Sequence, residues 1–356
     1  MGSENAGIMS PVAVGRFAPS PTGDLHLGNL RTAVLAWLWS RHAGSEFVVR
    51  LEDLDRVTSS PEHEASQLRD LAAIGLDWDG PVVRQSDRFD LYHDAIATLD
   101  RAGLLYPCYC TRKEIAAAAS APNQPVLTGY PGTCRRLSAV RRRELESSGR
   151  PPALRIRANR APAGFDDLLL GPVAGSADDV VVHRNDGVPA YHLAVVVDDA
   201  AQSVGIVVRG DDLASATPSQ LHLQRHLGLP EPRYAHVPLV LGPTGERLAK
   251  RHGAVTLGDR LGSGDSVEDV ARWLPWLEDL AAQRLDVSAL ASAPPTLIIH
   301  GMNDAIIPLA QSEYLARHLP QATLHRWADV AHAPHLHDVA RLRAEIAAHR
   351  ATHRGR

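Results

Sequence analysis

The first part of the chain alternates between short apolar runs and segments whose apolar residues have helical spacing. Val12-Ala-Val ends one apolar run and Phe47-Val-Val-Arg-Leu forms a second, and both are typical of a buried strand. Between them, apolar residues recur at helical spacing from Leu30 onward, and Gly44 predicts the end of that helix. The pattern therefore predicts a strand, a turn, a helix and a second strand, in that order.

Two further helices follow from the same periodicity, at residues 61–75 and 87–103. Gly75 and Gly103 are their expected C-terminal stops. Residues 151–180 are punctuated by proline and glycine and predict short strands.

The second half of the chain contains continuous apolar runs that end in polar residues. One run begins at Ala190 and reaches Asp198, and another extends from Ser203 to Arg209. Such runs are typical of parallel strands that are buried on both faces, so we predict a strand for each. A third strand is predicted at residues 238–241, from Pro-Leu-Val-Leu.

Composition sets broad limits. The chain has 356 residues, enough for two domains or one large one, and its net charge of −4 gives no overall basic signal for nucleic acid. A local basic surface would still allow RNA binding. There is no apolar stretch of about 18 residues and no signal peptide, so we expect a cytoplasmic protein without membrane contact. The three cysteines suit a reducing compartment, and residues 1–10 predict a disordered leader.

The turn between the first strand and the first helix has the composition of a ligand-binding loop. Residues 15–29 contain two prolines and three glycines, which suit a rigid loop that lies close to a ligand. The start of the following helix, near Gly28 and Asn29, favours a phosphate, and His26 is placed to donate to one. An isolated pattern of this kind is equally consistent with a proline-rich surface loop.

Polar residues at strand ends provide further candidates. Glu52 and Asp53 follow the strand that begins at Phe47, and Arg209 ends another strand. Ligands of open α/β sheets bind at the carboxyl ends of strands, and a guanidinium there can hold a carboxylate at two points. A solvated strand end and a surface arginine are the simpler alternatives.

All three cysteines, Cys108, Cys110 and Cys134, fall in one window of 27 residues. Closed zinc sites have four ligands, usually cysteine or histidine, and no histidine lies between His93 and His183. Either another side chain completes the site, or the cysteines are ordinary buried residues.

Taken together, the motifs resemble class I aminoacyl-tRNA synthetases. His26-Leu-Gly-Asn stands in the position of the first class I signature, and Arg247-Leu-Ala-Lys-Arg in that of the second. The lead-in from Phe17, Ala-Pro-Ser-Pro-Thr-Gly, and the run Arg50-Leu-Glu-Asp are similar to the glutamyl subgroup. The resemblance implies an α/β fold, a doubly wound parallel sheet with an inserted zinc-bearing region at about residues 104–185.

The resemblance also implies a set of site residues. Glutamate would be held by Arg16, Phe17, Ala18, Pro19, Ser20, Glu52, Tyr191 and Arg209. ATP would be held by His26, Gly28, Asn29 and Lys250, of which His26 and Lys250 are the catalytic candidates. Magnesium would accompany ATP.

The closest resemblance within the subgroup is to the glutamyl-Q tRNA(Asp) synthetases, over residues 11–274. In these enzymes a tyrosine four residues before the last cysteine completes a structural zinc site, which implies ligation by Cys108, Cys110, Tyr130 and Cys134. The chain leaves no room for the helical anticodon-binding domain of glutamyl-tRNA synthetases. The implied reaction is activation of glutamate with ATP without tRNA, then transfer to queuosine in the anticodon stem-loop of tRNA(Asp), by a monomer.

Alternatives remain open at this point. One is a truncated or discriminating glutamyl-tRNA synthetase that charges a 3′ end, and another is a tRNA-binding module without catalysis. Residues 135–150 are rich in arginine, which fits either a solvated helix face or a contact to RNA phosphates.

Residues 275–356 resemble the C-terminal fragment of an α/β-hydrolase, a short α/β tail. Asp304 stands in the position of a triad acid and His332 in that of the triad histidine. The Gly-x-Ser-x-Gly elbow that would supply a nucleophile does not occur in the sequence, so we expect no serine hydrolase activity.

Overall fold

The computed structural model describes residues 14–111, 113–115, 129–240, 255–274, 296–301, 322–328 and 339–352. Lys250, Asp304 and His332 lie outside this part of the chain. The chain divides into two compact units, with residues up to 239 and 246–275 in the first and residues 240–245 and 276–356 in the second. No helix in the described part of the chain is long and apolar enough to cross a bilayer.

Strands and helices alternate at the start of the first unit. The strands of both units are β1 Val14–Phe17, β2 Phe47–Leu51, β3 Val83–Arg84, β4 Leu105–Cys108, β5 Ala153–Ile156, β6 Phe165–Asp167, β7 Gly171–Val173, β8 Val181–His183, β9 Val204–Gly210, β10 Arg233–Val237, β11 Thr296–Gly301 and β12 Ala322–Trp327. The helices are α1 Leu27–His42, α2 Pro61–Ala73, α3 Phe89–Arg101, α4 Ala139–Ser147, α5 Tyr191–Ala201, α6 Thr217–Leu227, α7 Leu257–Gly262, α8 Val267–Trp273 and α9 Val339–Thr352.

Seven strands of the first unit form one sheet, in the order β3-β2-β1-β9-β10-β6-β7. All neighbours pair in parallel except β6 and β7, which are antiparallel. The prediction of an α/β fold with a parallel sheet is therefore confirmed. Because β1, β2 and β9 are parallel neighbours, their carboxyl ends meet at one edge of the sheet, where ligands of such sheets bind.

The predicted elements at the start of the chain are also present. Strand β1 runs into α1, and the glycine expected to end the helix, Gly44, has a left-handed φ of 66°. Strand and helix lie so close that a Cβ on Gly15 would meet Ser40 Oγ at 1.9 Å. A side chain at this position of β1 would displace Ser40, so glycine lets the C-terminal end of α1 pack closely on the strand.

The segment from Tyr191 to Ala201 is a helix, α5, so the prediction of a strand there is wrong. Leu193 and the four residues after it are all buried, in a core shared with Tyr92 and Leu99 of α3. The sequence of a helix that is buried on every side is a continuous apolar run, as is that of a strand buried on both faces. Hydrophobic periodicity alone therefore does not distinguish such a helix from such a strand.

The strand predicted at residues 238–241 is also misplaced. The strand is β10, five residues earlier, and Pro238 to Val240 follow it outside any strand. Proline has no N–H to donate to a ladder, which accounts for the end of β10 at Val237.

A separate antiparallel sheet, β4-β5-β8, lies in the region inserted between the two halves of the large sheet. Helix α4 follows the cysteine window and has no buried residue in its nine. Ser138 caps it by accepting from the amide of Arg141 at 3.2 Å.

In the second unit, β11 and β12 form a parallel pair. Trp327 at the end of β12 is fully buried, and the guanidinium of Arg341 from α9 lies 4.1 Å from its ring centroid. His325 of β12 and Glu345 of α9 are hydrogen-bonded.

Candidate active site

The start of α1 is formed by reciprocal hydrogen bonds between His26 and Asn29. His26 is the N-cap residue: its Nδ1 accepts from the amide of Asn29 at 3.2 Å, and Asn29 Oδ1 accepts from the amide of His26 at 3.3 Å. The helix begins at Leu27, one residue before the predicted start at Gly28. His26 and Asn29 therefore form the N-terminal cap of α1, where the positive end of the helix dipole favours an anion.

The chain that follows the second signature lies against this turn. The amide of Leu27 donates to the carbonyl oxygen of Val255 at 2.9 Å, and His26 forms an isolated bridge with Thr256. Thr256 in turn caps α7 through its hydroxyl, which accepts from the amide of Asp259 at 3.2 Å. Val255 is five residues after Lys250 in the sequence, and Lys250 itself lies outside the described residues.

The loop between β1 and α1 is held by hydrogen bonds to its own backbone. Pro19 accepts from the amide of Glu52 at 2.9 Å, which joins the loop to the end of β2. The side chain of Gln67, from α2, donates to the carbonyl oxygens of Ser20 at 3.0 Å and Gly23 at 2.7 Å. Phe17 and Pro19 are buried, Ala18 is half-buried and Ser20 is exposed. These contacts fix the loop as a rigid wall beside Glu52.

Charged groups are concentrated beneath that wall. Arg50, which is fully buried, lies 2.8 Å from Asp199 Oδ1 through Nη1 and 3.5 Å from Glu52 Oε1 through Nη2. Arg16 is also buried, with Nη1 on the carbonyl oxygen of Val208 at 3.1 Å and Nε 3.6 Å from Asp199. Burial raises the pKa of Glu52, and the charges of Arg50 and Arg16 oppose that rise. The net result is a pKa for Glu52 above its ordinary value.

Arg209 is held in place at the end of β9. Its Nε donates to His236 Nε2 at 3.1 Å, and its Nη2 donates to Thr217 Oγ1 at 2.8 Å. Its guanidinium carbon lies 5.3 Å from the ring centroid of Tyr234. Arg209 is 5 % exposed, so its charge acts in a poorly solvated environment.

Tyr191 is the first residue of α5 and faces the same charged groups. It keeps 36 % of its surface exposed, yet desolvation of the hydroxyl raises its pKa. Arg209, Glu52 and Arg16 all act electrostatically on this hydroxyl, so their charges lie near it. Tyr191 comes from a helix rather than from the predicted strand.

Three sulfur atoms and one phenol form a second cluster, at β4. The sulfurs of Cys108, Cys110 and Cys134 lie within 4.8 Å of one another. Tyr130 Oη lies 3.4 Å from Cys108 Sγ and 3.5 Å from Cys110 Sγ, and Cys110 and Cys134 are 3.4 Å apart. Hydrogen bonds from Cys134 and Tyr130 lower the pKa of Cys108 to about 4, which favours a thiolate.

These distances fit a tetrahedral metal. Zn–S bonds of about 2.3 Å and Zn–O bonds of about 2.0 Å would separate tetrahedral ligands by about 3.5–3.8 Å. The donor set, three thiols and one phenol, thus has the spacing that zinc needs. Tyr130 also donates its amide to Asp178 Oδ2 at 2.7 Å. At the preceding Gly129, a Cβ would meet the same oxygen at 2.5 Å, so Asp178 holds this loop closely.

Comparison with known proteins identifies the family. A family model described as tRNA synthetases class I (E and Q), catalytic domain, matches residues 12–271. The chain belongs to this family. As the motifs indicated, it is a ligase of the class I aminoacyl-tRNA synthetases.

Individual class I synthetases match over most of the chain. A glutamyl-Q tRNA(Asp) synthetase of Nocardia farcinica is 54% identical over 305 residues, covering 85% of this chain and 94% of the relative. One of Cutibacterium acnes is 51% identical and covers 80% and 82%. The resemblance predicted from the motifs is thereby confirmed. A crystal structure of a glutamate tRNA ligase from Elizabethkingia meningosepticum, in complex with its amino acid, is 26% identical with a TM-score of 0.64. It covers 74% of this chain, which spans 60% of that structure's length.

Two residues of this synthetase site escaped the sequence reasoning. Asp167 of β6 contacts His236 of β10, which contacts Arg209, and neither residue belongs to a recognised motif. Arg50 stood in a recognised run but no role was predicted for it, although its side chain pairs with three carboxylates, those of Glu52, Asp198 and Asp199. A buried arginine in an otherwise apolar strand is the one signal that pointed to such a role.

Proposed function

We propose that this chain activates glutamate with ATP in the absence of tRNA and then transfers the glutamate to the queuosine base of tRNA(Asp). The observation that carries the proposal is that Arg16, Glu52 and Arg209 lie on, or directly after, the neighbouring strands β1, β2 and β9, and that all three act electrostatically on Tyr191. The glutamyl-Q tRNA(Asp) synthetases that are 54% and 51% identical support the choice of acceptor.

In the first step a carboxylate oxygen of glutamate attacks the α-phosphorus of ATP. A phosphoanhydride bond breaks, pyrophosphate leaves and glutamyl-adenylate forms. The chain contributes position and charge rather than covalent chemistry. The carboxylate form of Glu52 holds the ammonium group of glutamate, and Arg209 holds a carboxylate. Arg16 and Tyr191 complete the pocket, with the backbone of residues 17–20 as its wall.

The triphosphate is assigned to the first turn of α1. The positive end of the α1 helix dipole favours phosphate oxygens there. Gly28 leaves room for close approach, and Asn29 fixes the turn through its hydrogen bonds with His26. Lys250 would stabilise the charge that develops on pyrophosphate. Magnesium would neutralise the triphosphate.

The cysteine cluster is assigned a structural role. Cys108, Cys110, Tyr130 and Cys134 would hold zinc as a closed site of four protein ligands, which leaves no position for substrate. Zinc there would join the two ends of a loop that otherwise has only weak sulfur hydrogen bonds.

In the second step the glutamyl group passes from the adenylate to queuosine and AMP is released. The RNA partner is the anticodon stem-loop of tRNA(Asp), bound by a monomer. The activity is assigned to residues 11–274, and the hydrolase-like residues 275–356 have no part in it.

The test is ATP–pyrophosphate exchange with glutamate, measured without tRNA and then with it. Exchange without tRNA is the expected result, followed by transfer of labelled glutamate to an anticodon-loop fragment of tRNA(Asp). Exchange that requires tRNA, with label recovered at the 3′ end, would support the alternative of a glutamate–tRNA ligase. The solved structure of such a ligase, with its TM-score of 0.64, is the reason to keep that alternative. An absence of exchange under both conditions would contradict both and favour a tRNA-binding module.

A further inference from the structure

Arg209 is the end of a chain of hydrogen bonds that begins at a buried carboxylate. Asp167 Oδ2 lies 2.6 Å from His236 Nδ1, and His236 Nε2 lies 3.1 Å from Arg209 Nε. The three residues come from neighbouring strands, β6, β10 and β9. His236 and Arg209 are paired directly across β10 and β9, so their side chains project on the same face of the sheet.

The chemistry of the two outer partners determines the state of the histidine. A guanidinium N–H only donates, so Nε2 of His236 must accept. A carboxylate only accepts, so Nδ1 must carry the proton. His236 is therefore the neutral Nδ1–H tautomer, oriented by Asp167. Burial lowers the pKa of His236, which favours the same neutral form.

Asp167 is itself fixed from several sides. Its Oδ1 accepts from the amides of Leu169 at 2.9 Å and Leu170 at 3.0 Å. The amide of His236 lies 3.2 Å from each carboxylate oxygen. Both side chains of the pair are completely buried. Such a carboxylate cannot turn away, so the imidazole has one orientation.

The consequence for Arg209 is that two of its three nitrogens are engaged. Nε is held by His236, and Nη2 by Thr217 and the carbonyl oxygen of Leu213. Nη1 makes no hydrogen bond to the described part of the chain and is left for a ligand. A guanidinium on a flexible stem is thereby reduced to one orientation before any substrate arrives, which lowers the entropy lost on binding.

We propose that Asp167 and His236 are positioning residues for the activation step, which hold Arg209, through these two hydrogen bonds, in the orientation that binds the substrate carboxylate. The inference rests on the proposed function, because it assumes that Arg209 binds glutamate. Neither residue contacts substrate. Their effect is on glutamate affinity and not on ATP affinity.

The test compares two replacements of His236 in the full-length chain, by ATP–pyrophosphate exchange with glutamate and ATP varied in turn. In His236→Gln the side-chain oxygen reaches the position of Nε2 and can still accept from Arg209. In His236→Asn the amide reaches only the position of Nδ1, so the bond to Asp167 is kept and the bond to Arg209 is lost. Both variants are neutral, polar and smaller than histidine, so each controls for the loss of the ring.

The expected result is a rise of about tenfold in the glutamate KM of His236→Asn, with the ATP KM unchanged, since a hydrogen bond to a charged group is lost. His236→Gln keeps the bond to Arg209 but loses the bond to Asp167, so its glutamate KM should rise less than that of His236→Asn. Asp167→Asn should raise the glutamate KM, whereas Asp166→Asn, at the exposed neighbouring position, should not.

A glutamate KM of folded His236→Asn within about twofold of the unmodified chain would overturn the inference. So small a change is less than the loss of a hydrogen bond to a charged group should cause. An equal rise in both KM values, or equal impairment of the Gln and Asn variants, would also overturn it, because either would indicate general damage. If His236→Asn does not fold, the Gln and Asp167→Asn variants give the same comparison. Failure of the unmodified chain to exchange with glutamate would instead refute the proposed function, and the inference with it.

Discussion

The amide of Leu27, the first residue of α1, donates a 2.9 Å hydrogen bond to the carbonyl oxygen of Val255. This hydrogen bond joins the start of α1 to the residues that follow the second signature motif in the sequence. Beside it, His26 bridges to Thr256. Residues more than 220 positions apart are held at one point of the fold, which is where ATP is proposed to bind.

His26 has two separable roles, as a helix cap and as a phosphate ligand. His26→Ala removes both, so we expect a loss of about 1 kcal/mol of unfolding free energy. Exchange should fall by about 10²-fold because a preorganised donor is lost. His26→Asn keeps a side-chain oxygen that can accept from the amide of Asn29, so its stability should match the unmodified chain while exchange falls as in the alanine variant. Denaturant unfolding and exchange rates measure the two effects, and full activity of His26→Asn would rule out the phosphate role.

Tyr130 should be needed for metal binding if it is the fourth ligand. Tyr130→Phe and Cys110→Ser should each lower the zinc content of the purified protein, measured by mass spectrometry, and chelator should lower the melting temperature of the unmodified protein. Tyr109→Phe is the matched control, because Tyr109 Oη contacts Glu146 at 3.4 Å rather than the sulfurs. Full zinc occupancy in Tyr130→Phe would show that the Tyr130 phenol is not a zinc ligand.

Glutamate binding should weaken in acid through Glu52. Burial raises the pKa of Glu52, so the carboxylate becomes protonated at a higher pH than an exposed glutamate, whose pKa is about 4.3. The ionised form binds the substrate ammonium, hence the glutamate KM should rise as the pH falls through that raised pKa. Glu52→Gln should have a high glutamate KM that stays flat over the same range. A parallel acid rise in the glutamine variant would assign the titration to another group.

Arg50 should matter mainly to stability. It is fully buried among Glu52, Asp198 and Asp199, so Arg50→Met would leave these acids uncompensated and cost about 3–5 kcal/mol of unfolding free energy. Arg225→Met is the control, because Arg225 forms an exposed pair with Glu231 on the surface. An exposed pair contributes under about 1 kcal/mol. Equal losses for the two variants, measured by denaturant unfolding, would contradict the buried network.

The sequence predicts those parts of the fold whose local pattern agrees with their tertiary role. The helices at residues 61–75 and 87–103 are present as α2 and α3, because each has one apolar stripe and a terminal glycine. Helix α5 was wrongly predicted as a strand, because its five consecutive apolar residues after His192 are buried on every side. Hydrophobic periodicity does not distinguish a helix from a strand where the segment is surrounded by apolar residues on all sides.

The candidate site likewise contains residues that could be predicted from the sequence and residues that could not. Residues that stand in long motifs, such as His26 and Arg209, were predicted from the sequence, and the structure brings the second of them beside Arg16 and Tyr191. His236 and Asp167 could not be predicted, since they are 69 positions apart and meet only because β6 and β10 are neighbours. Pairing of strands that are distant in sequence is a property of the whole sheet and leaves no local trace.

The first turn of α6 carries Thr217, which accepts from Arg209, and Ser219, whose hydroxyl accepts from the amide of Asp178 at 2.9 Å. Asp178 in turn accepts from the amide of Tyr130. The cysteine-bearing loop therefore cannot be exchanged independently of the first turn of α6. A chimaera that takes this loop from a relative must also take a matching α6 turn, and one that does not should lose glutamate affinity even when its cysteines are intact.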